Sequence, residues 1–193
     1  MYLQIPGVLV ACPSTPADGK GLLKAAIRDD NPVLFLEHKR LYTIKGEAGD
    51  ADDVANIGEA RVVREGSDVT LVSIMKGVHD CLEAAELLKE DGIDAEVIDL
   101  RTIRPLDRET IVKSLKKTNR LVAVEEGPIS GGWAGEIMAV AAEEALGDVD
   151  DVWRIATPDH PVPYSPPLED EFLPSGKSIA DSVIERLGAP AAH

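Results

Sequence analysis

Val97-Ile98-Asp99-Leu100-Arg101-Thr102-Ile103-Arg104-Pro105-Leu106-Asp107 decides how this chain of 193 residues is read. Val97, Ile98 and Leu100 are strand formers in a short apolar run. Pro105 drives Arg104 out of helical backbone space. Asp107 is placed to cap a following helix whose inner face is Ile111, Val112 and Leu115. A buried strand running through a loop into a capped helix is the half-step of an α/β fold. It sets two arginines and two aspartates at the carboxyl end of a parallel strand, the edge where open α/β sheets bind ligands and partners. The simpler reading of Asp99, Arg101 and Arg104 is a structural ion-pair network.

The flanking sequence repeats the half-step. Val69 to Ile74 reads as a strand and Gly77 opens a helix with Val78, Cys81, Leu82, Ala85 and Leu88 inside, closed by Gly92. Arg120 to Val124 is a further strand, followed by a helix from Trp133 to Leu146, a last strand over 152–155, a Pro-rich loop over 158–167 and a helix ending at Gly188. The short turn Glu65-Gly66-Ser67-Asp68 predicts that the strand at Ala60 to Val63 pairs antiparallel with its successor and forms one reversed edge. Residues 59–188 are thus expected to be a mostly parallel, doubly wound α/β sheet with one antiparallel edge strand.

Residues 1–39 hold one βαβ unit: a strand at Val8 to Cys12, a helix capped by Thr15 with Pro16 at its first position and Asp18 three residues after the cap, and a strand at Val33 to Leu36. Such a unit cannot bury both faces of its sheet and needs strands from elsewhere. The abrupt entry into the first strand is what a chain without its front half would have. Residues 40–58 are polar, small and acidic and read as a linker. Residues 189–193 are expected to be a frayed tail.

Hydrophobic residues make up 44% of the chain, enough for a core, and the net charge of −15 gives no electrostatic footprint for nucleic acid or anionic membranes. No apolar run approaches ~18 residues. Met1 to Pro6 lacks the pattern of a signal peptide. Cys12 and Cys81 stand apart among apolar residues as free thiols, and a cytoplasmic location follows. His38, His79, His160 and His193 have no zinc spacing, and no Gly-x-Ser-x-Gly elbow exists. Ser130-Gly131-Gly132 lies between a strand and a helix, but Glu125 and Glu126 precede it and the phosphate-loop Lys-Ser/Thr is missing, so a tight turn is the expectation. These residues alone describe a binding or assembly domain.

The motifs taken in order carry more. Pro6-Gly7, the run from Pro13 to Val33, Glu37, the runs 64–72 and 96–107, Val124-Glu125-Glu126-Gly127 with Gly131-Gly132, and Asp159, Pro161, Pro163, Tyr164 with Pro167-Leu168-Glu169 resemble the E1 β subunit of 2-oxoacid dehydrogenase complexes. The resemblance implies the last βαβ of a thiamine diphosphate pyrimidine-binding domain, then a whole transketolase C-terminal-like domain. It implies that the cofactor-activating glutamate and the active-site histidine have no counterpart in this chain, which would be inactive alone; thiamine diphosphate and magnesium belong to the full enzyme. It implies that Ala26, Ile27, Asp29 and Asn31 match a structural monovalent-cation motif, with potassium as the ion. It further implies three partners: an E1 α subunit, a second β subunit and the basic peripheral subunit-binding domain of E2. Two other readings stay open: a non-catalytic dimerisation or regulatory module, and a sugar-phosphate enzyme of the transketolase group in which Arg101 and Arg104 would contact phosphate.

Overall fold

Alternation along the central strands sets the layers in the computed structural model, which describes residues 2–188; the expected frayed tail lies outside the described residues. Leu71, Val97, Val122 and Val124 face one side and Val72, Ile98, Leu121 and Ala123 the other, and both sets are buried. This double-sided burial is the mark of a parallel sheet covered by helices. The five-stranded sheet contains β3 (Arg61–Arg64), β4 (Val69–Ser73), β5 (Ala95–Asp99), β7 (Arg120–Pro128) and β8 (Asp151–Thr157) in the order β3-β5-β4-β7-β8. Helices α2 (Met75–Glu90) and α6 (Gly176–Leu187) cover one face through Val78, Cys81, Leu88, Ile179 and Val183. Helices α3 (Arg108–Thr118) and α4 (Ala134–Glu144) cover the other through Ile111, Leu115, Ile137 and Ala141.

The reversed edge strand exists, but its neighbour differs from the expectation. β3 pairs antiparallel with β5, not with β4. The reason lies at Gly66. The turn 65–68 crosses over the start of β5, with the Ser67 and Asp68 amides both donating to the Asp94 carbonyl. A Cβ on Gly66 would stand 2.3 Å from the Ala95 carbonyl carbon, so only glycine lets the chain pass there. β4 is then free to take β5 through the right-handed β4-α2-β5 crossover.

The amino-terminal βαβ unit forms as read, with β1 (Leu9–Ala11) parallel to β2 (Val33–Phe35) and α1 (Pro16–Arg28) between them. Its third strand is β6 (Thr102–Arg104), antiparallel to β1. A single stretch, 95–104, therefore serves both sheets, turning from one to the other at Arg101, whose φ is 58°. The loop expected at 101–106 thus contains a strand, and three residues are too short a run for alternation to reveal it. Residues 44–58 pass along α1 with turns at 51–52 and 57–58, Lys20 donating to the Gly49 and Asp50 carbonyls and Gly21 packed on Ala55. The Pro-rich loop ends early, because Pro166 starts α5 (Pro166–Phe172). Helix α2 begins at Met75 rather than Gly77, and α4 ends at Glu144 rather than Leu146.

Candidate functional site

The turn at Leu100 and Arg101 delivers its charges to the seam between the two sheets. The Arg101 Nε donates to Asp18 Oδ1 at 3.0 Å, and its Nη1 reaches the Glu59 carbonyl. Asp18 also accepts from the Arg61 guanidinium, while its own amide is bonded to the capping Thr15 hydroxyl at 3.1 Å. Asp99 accepts from the Ser14 hydroxyl and, at 2.9 Å, from the Arg101 amide. The expected network of Asp99, Arg101 and Arg104 is corrected here. Asp18, 2% exposed, is the counter-ion of Arg101, and the Arg104 guanidinium donates to the Leu3 carbonyl. The helix-cap pattern predicted a local role for Asp18, and local spacing carries no sign of a partner 83 residues away. Burial pushes the Asp99 carboxyl up to about 6, against the Ser14 and Arg101 hydrogen bonds that pull it down. With Arg101 held in the seam and 7% exposed, it is not presented to a phosphate.

The histidines divide. His38 Nε2 lies 2.9 Å from Glu126 Oε2, joining the end of β2 to the end of β7. His38 also lines a cavity of about 140 Å³ with Ser14, Pro16, Glu37 and Tyr42. His79 bonds the Ser14 carbonyl at 2.8 Å, a further tie across the seam. His160 packs against the Phe172 ring, with centroids 6.4 Å apart, while its neighbour Asp159 takes the Ser130 hydroxyl. Cys12 and Cys81 are free and buried, and burial pushes both thiols well up, Cys12 to about 12.

The four residues of the cation motif sit at the end of α1. Ala26 and Ile27 belong to its last turn, where carbonyls lack intrahelical donors. Asp29 is the C-cap, and its Oδ1 accepts from the Asn31 amide at 2.8 Å and the Asn31 Nδ2 at 2.9 Å, which together hold its carboxyl below the usual range. The helix end thus brings carbonyls, a carboxylate and an amide oxygen to one exposed corner, an all-oxygen set of the kind hard cations take. Among the described residues, no group of three or more His, Cys, Asp or Glu is arranged to hold a metal ion.

The glycine loop is a tight turn, as expected. Glu125 folds back under it so that Oε2 accepts from the Ala134 amide at 3.1 Å and caps α4. A Cβ on Gly132 would meet Glu125 Oε1 at 1.8 Å. Burial raises the Glu125 carboxyl above its ordinary value, against the pull of the Ala134 and Trp133 amides.

A doubly wound sheet with a reversed edge, joined by a buried arginine–aspartate seam to a βαβ unit, is the class of transketolase-type domains. The chain belongs to the transketolase family: residues 58–179 match the transketolase C-terminal domain, and residues 1–45 match the transketolase pyrimidine binding domain. More particularly, it is 46% identical to the acetoin:2,6-dichlorophenolindophenol oxidoreductase subunit beta of Cupriavidus necator, over 93% of this chain and 54% of that one. It is 47% identical to the mitochondrial pyruvate dehydrogenase E1 component subunit beta of Dictyostelium discoideum, over 94% and 52%. It is 48% identical to the 2-oxoisovalerate dehydrogenase subunit beta of Bacillus subtilis, over 96% and 58%. The chain thus spans between 52% and 58% of the length of these three relatives. A solved split gene transketolase, described as an inactive beta4 tetramer, superposes with a TM-score of 0.84 at 26% identity, covering 97% of this chain and 60% of that one. Among the described residues no helix is long and apolar enough to cross a membrane.

Proposed function

We propose that this chain is the carboxy-terminal portion of a β subunit of a 2-oxoacid dehydrogenase E1. In that role it serves an enzyme that decarboxylates a 2-oxoacid with thiamine diphosphate and passes the acyl group to E2 lipoyl groups. The observation that carries this reading is the 44–49% identity to such β subunits, and to acetoin oxidoreductase β subunits, over at least 92% of the chain. The described residues do not by themselves fit the cofactor with its magnesium. The amino-terminal unit has only two parallel strands, and the one glycine loop is flanked by Glu125 and Glu126 and is filled by Glu125. Thiamine diphosphate, when bound, supplies a carbanion-stabilising centre. The role of this stretch is assembly with an E1 α subunit and a second β subunit, with a potassium ion at Ala26, Ile27, Asp29 and Asn31. The net charge of −15 suits docking of the basic subunit-binding domain of E2, in a cytoplasmic setting.

Co-expression with an E1 α subunit and the remainder of the pyrimidine-binding domain tests the reading. Co-elution of all three, with 2-oxoacid-dependent dye reduction that requires added thiamine diphosphate, is the expected result. Elution of this chain without the α subunit would overturn it. Potassium is expected to raise the melting temperature of that assembly over sodium, and Asp29→Ala to remove the difference. A second reading, a non-catalytic self-assembling module, is favoured by the inactive beta4 state of the similar split gene transketolase. It predicts a stable homo-oligomer that does not exchange subunits with the α chain.

A further inference from the structure

Ile103, Leu106 and Trp133 pack against the core and also line a cavity of about 430 Å³ between β6, the glycine loop and the start of α4. Small-molecule pockets fall in the range of about 300–1,000 Å³. Two cations line the same cavity, Arg104 and Arg108, with one carboxylate, Glu136. Arg108 is already committed. Its guanidinium donates to Glu143 at 2.7 Å and to Glu144, with Glu136 at 3.5 Å. Arg104 is not. It is half-buried, and among the described residues its side chain makes one hydrogen bond, to the uncharged Leu3 carbonyl, and no ion pair. Acidic residues outnumber basic ones in this chain by 35 to 20, so a counter-ion for Arg104 is missing by placement and not by supply. A guanidinium has five N–H donors, and four of these have no partner. The strand that carries it is fixed, with Arg104 opposite Val10 of β1. The start of α4 contributes no charge to the cavity, because the Glu125 carboxylate caps it.

We propose that this cavity binds a short aliphatic monocarboxylate, with its carboxylate on the Arg104 guanidinium and its chain against Ile103, Leu106 and Trp133. One negative charge matches one uncommitted guanidinium. A phosphate dianion brings a second charge for which no free cation remains, since Arg108 is held by its glutamates. An uncharged chain covers the apolar wall but leaves the guanidinium without a counter-ion as water is displaced. A molecule with a single charged end and an apolar body satisfies both parts of the lining.

Titration with hexanoate, followed by calorimetry and by amide chemical-shift mapping, tests this, with hexanamide and inorganic phosphate as controls at matched ionic strength. The expected result is saturable hexanoate binding, shifts confined to 2–4, 103–108 and 131–136, and binding of either control weaker by about tenfold or more. Arg104→Gln should weaken hexanoate about tenfold or more, as loss of a charged hydrogen bond does. Non-saturating hexanoate, shifts elsewhere, hexanamide or phosphate binding as tightly as hexanoate, or unchanged affinity in Arg104→Gln would each overturn the proposal. If Arg104→Gln does not fold, the wild-type shift map and the two controls decide alone.

Discussion

Arg101 and Asp18 stand 83 residues apart and meet at 3.0 Å in the seam, each less than a tenth exposed. One belongs to the turn that links the two sheets and the other to the first turn of α1, so the pair fastens the βαβ unit to the five-stranded sheet. Breaking a buried pair from one side leaves a charge without compensation, at about 3–5 kcal/mol. Asp18→Asn leaves Arg101 in that state and should cost about 3 kcal/mol. Arg101→Met should cost less, because Asp18 keeps Arg61. Urea denaturation of both single variants and the double should give a coupling energy between about 0.5 and 3 kcal/mol. Additive costs would mean that the seam is held elsewhere.

Asp99 lies beside that pair and makes the seam sensitive to pH. Its folded carboxyl titrates at about 6, because burial penalises the charge, whereas an unfolded aspartate titrates near ~3.9. The folded chain therefore holds the extra proton between those values. The stability this group contributes is full below about 3.9 and is lost as pH rises through about 6, by an amount on the order of 2–3 kcal/mol. From about pH 5 to about pH 7 the wild-type melting temperature should fall relative to Asp99→Asn, whose side chain carries no charge to bury. Parallel curves for the two proteins would contradict the assignment.

Much of this fold could be read from periodicity. The half-step strand, loop and capped helix recurs, and the caps at Thr15 and Asp107 and the stop at Gly188 stand where residue chemistry puts them. What escaped depends on contacts distant in sequence. β6 is three residues long and exists because β1 offers it an edge. The β3–β5 pairing rests on a missing Cβ at Gly66. Asp18 reads as a cap residue, and only the folded chain brings Arg61 and Arg101 to it. Of the candidate site, the groups at 26–31 are local in sequence, and their reading as a cation site comes from the family resemblance alone.

Asp107 carries two duties. Its Oδ1 accepts from the Thr110 amide at 3.0 Å, capping α3, and its Oδ2 accepts from the Ala60 amide at 2.9 Å, fixing the approach to β3. Losing the cap alone costs about 1 kcal/mol. Asp107→Ala should therefore destabilise the chain by about 2 kcal/mol, with faster hydrogen exchange at both Ala60 and Thr110. Exchange that quickens at Thr110 alone would assign the aspartate to the helix only.

Gly66 and Gly19 separate space from propensity. A Cβ at Gly66 would lie 2.3 Å from both the Ala95 carbonyl carbon and the Glu96 nitrogen, and both are backbone atoms at the start of β5. That strand is paired on both sides and cannot yield. Gly66→Ala should cost about 3 kcal/mol or more, as overpacking against a fixed wall does. At Gly19, inside α1, a Cβ meets nothing within 4 Å. Gly19→Ala should stabilise the chain by about 0.5–1 kcal/mol, through the restricted backbone of the unfolded state and better helix propensity. Denaturation midpoints of the two variants should thus move in opposite directions. A Gly66→Ala protein as stable as wild type would mean that the crossing of the turn over β5 is looser than the 2.3 Å approach requires, and β3 would then be free to pair as its short turn suggests.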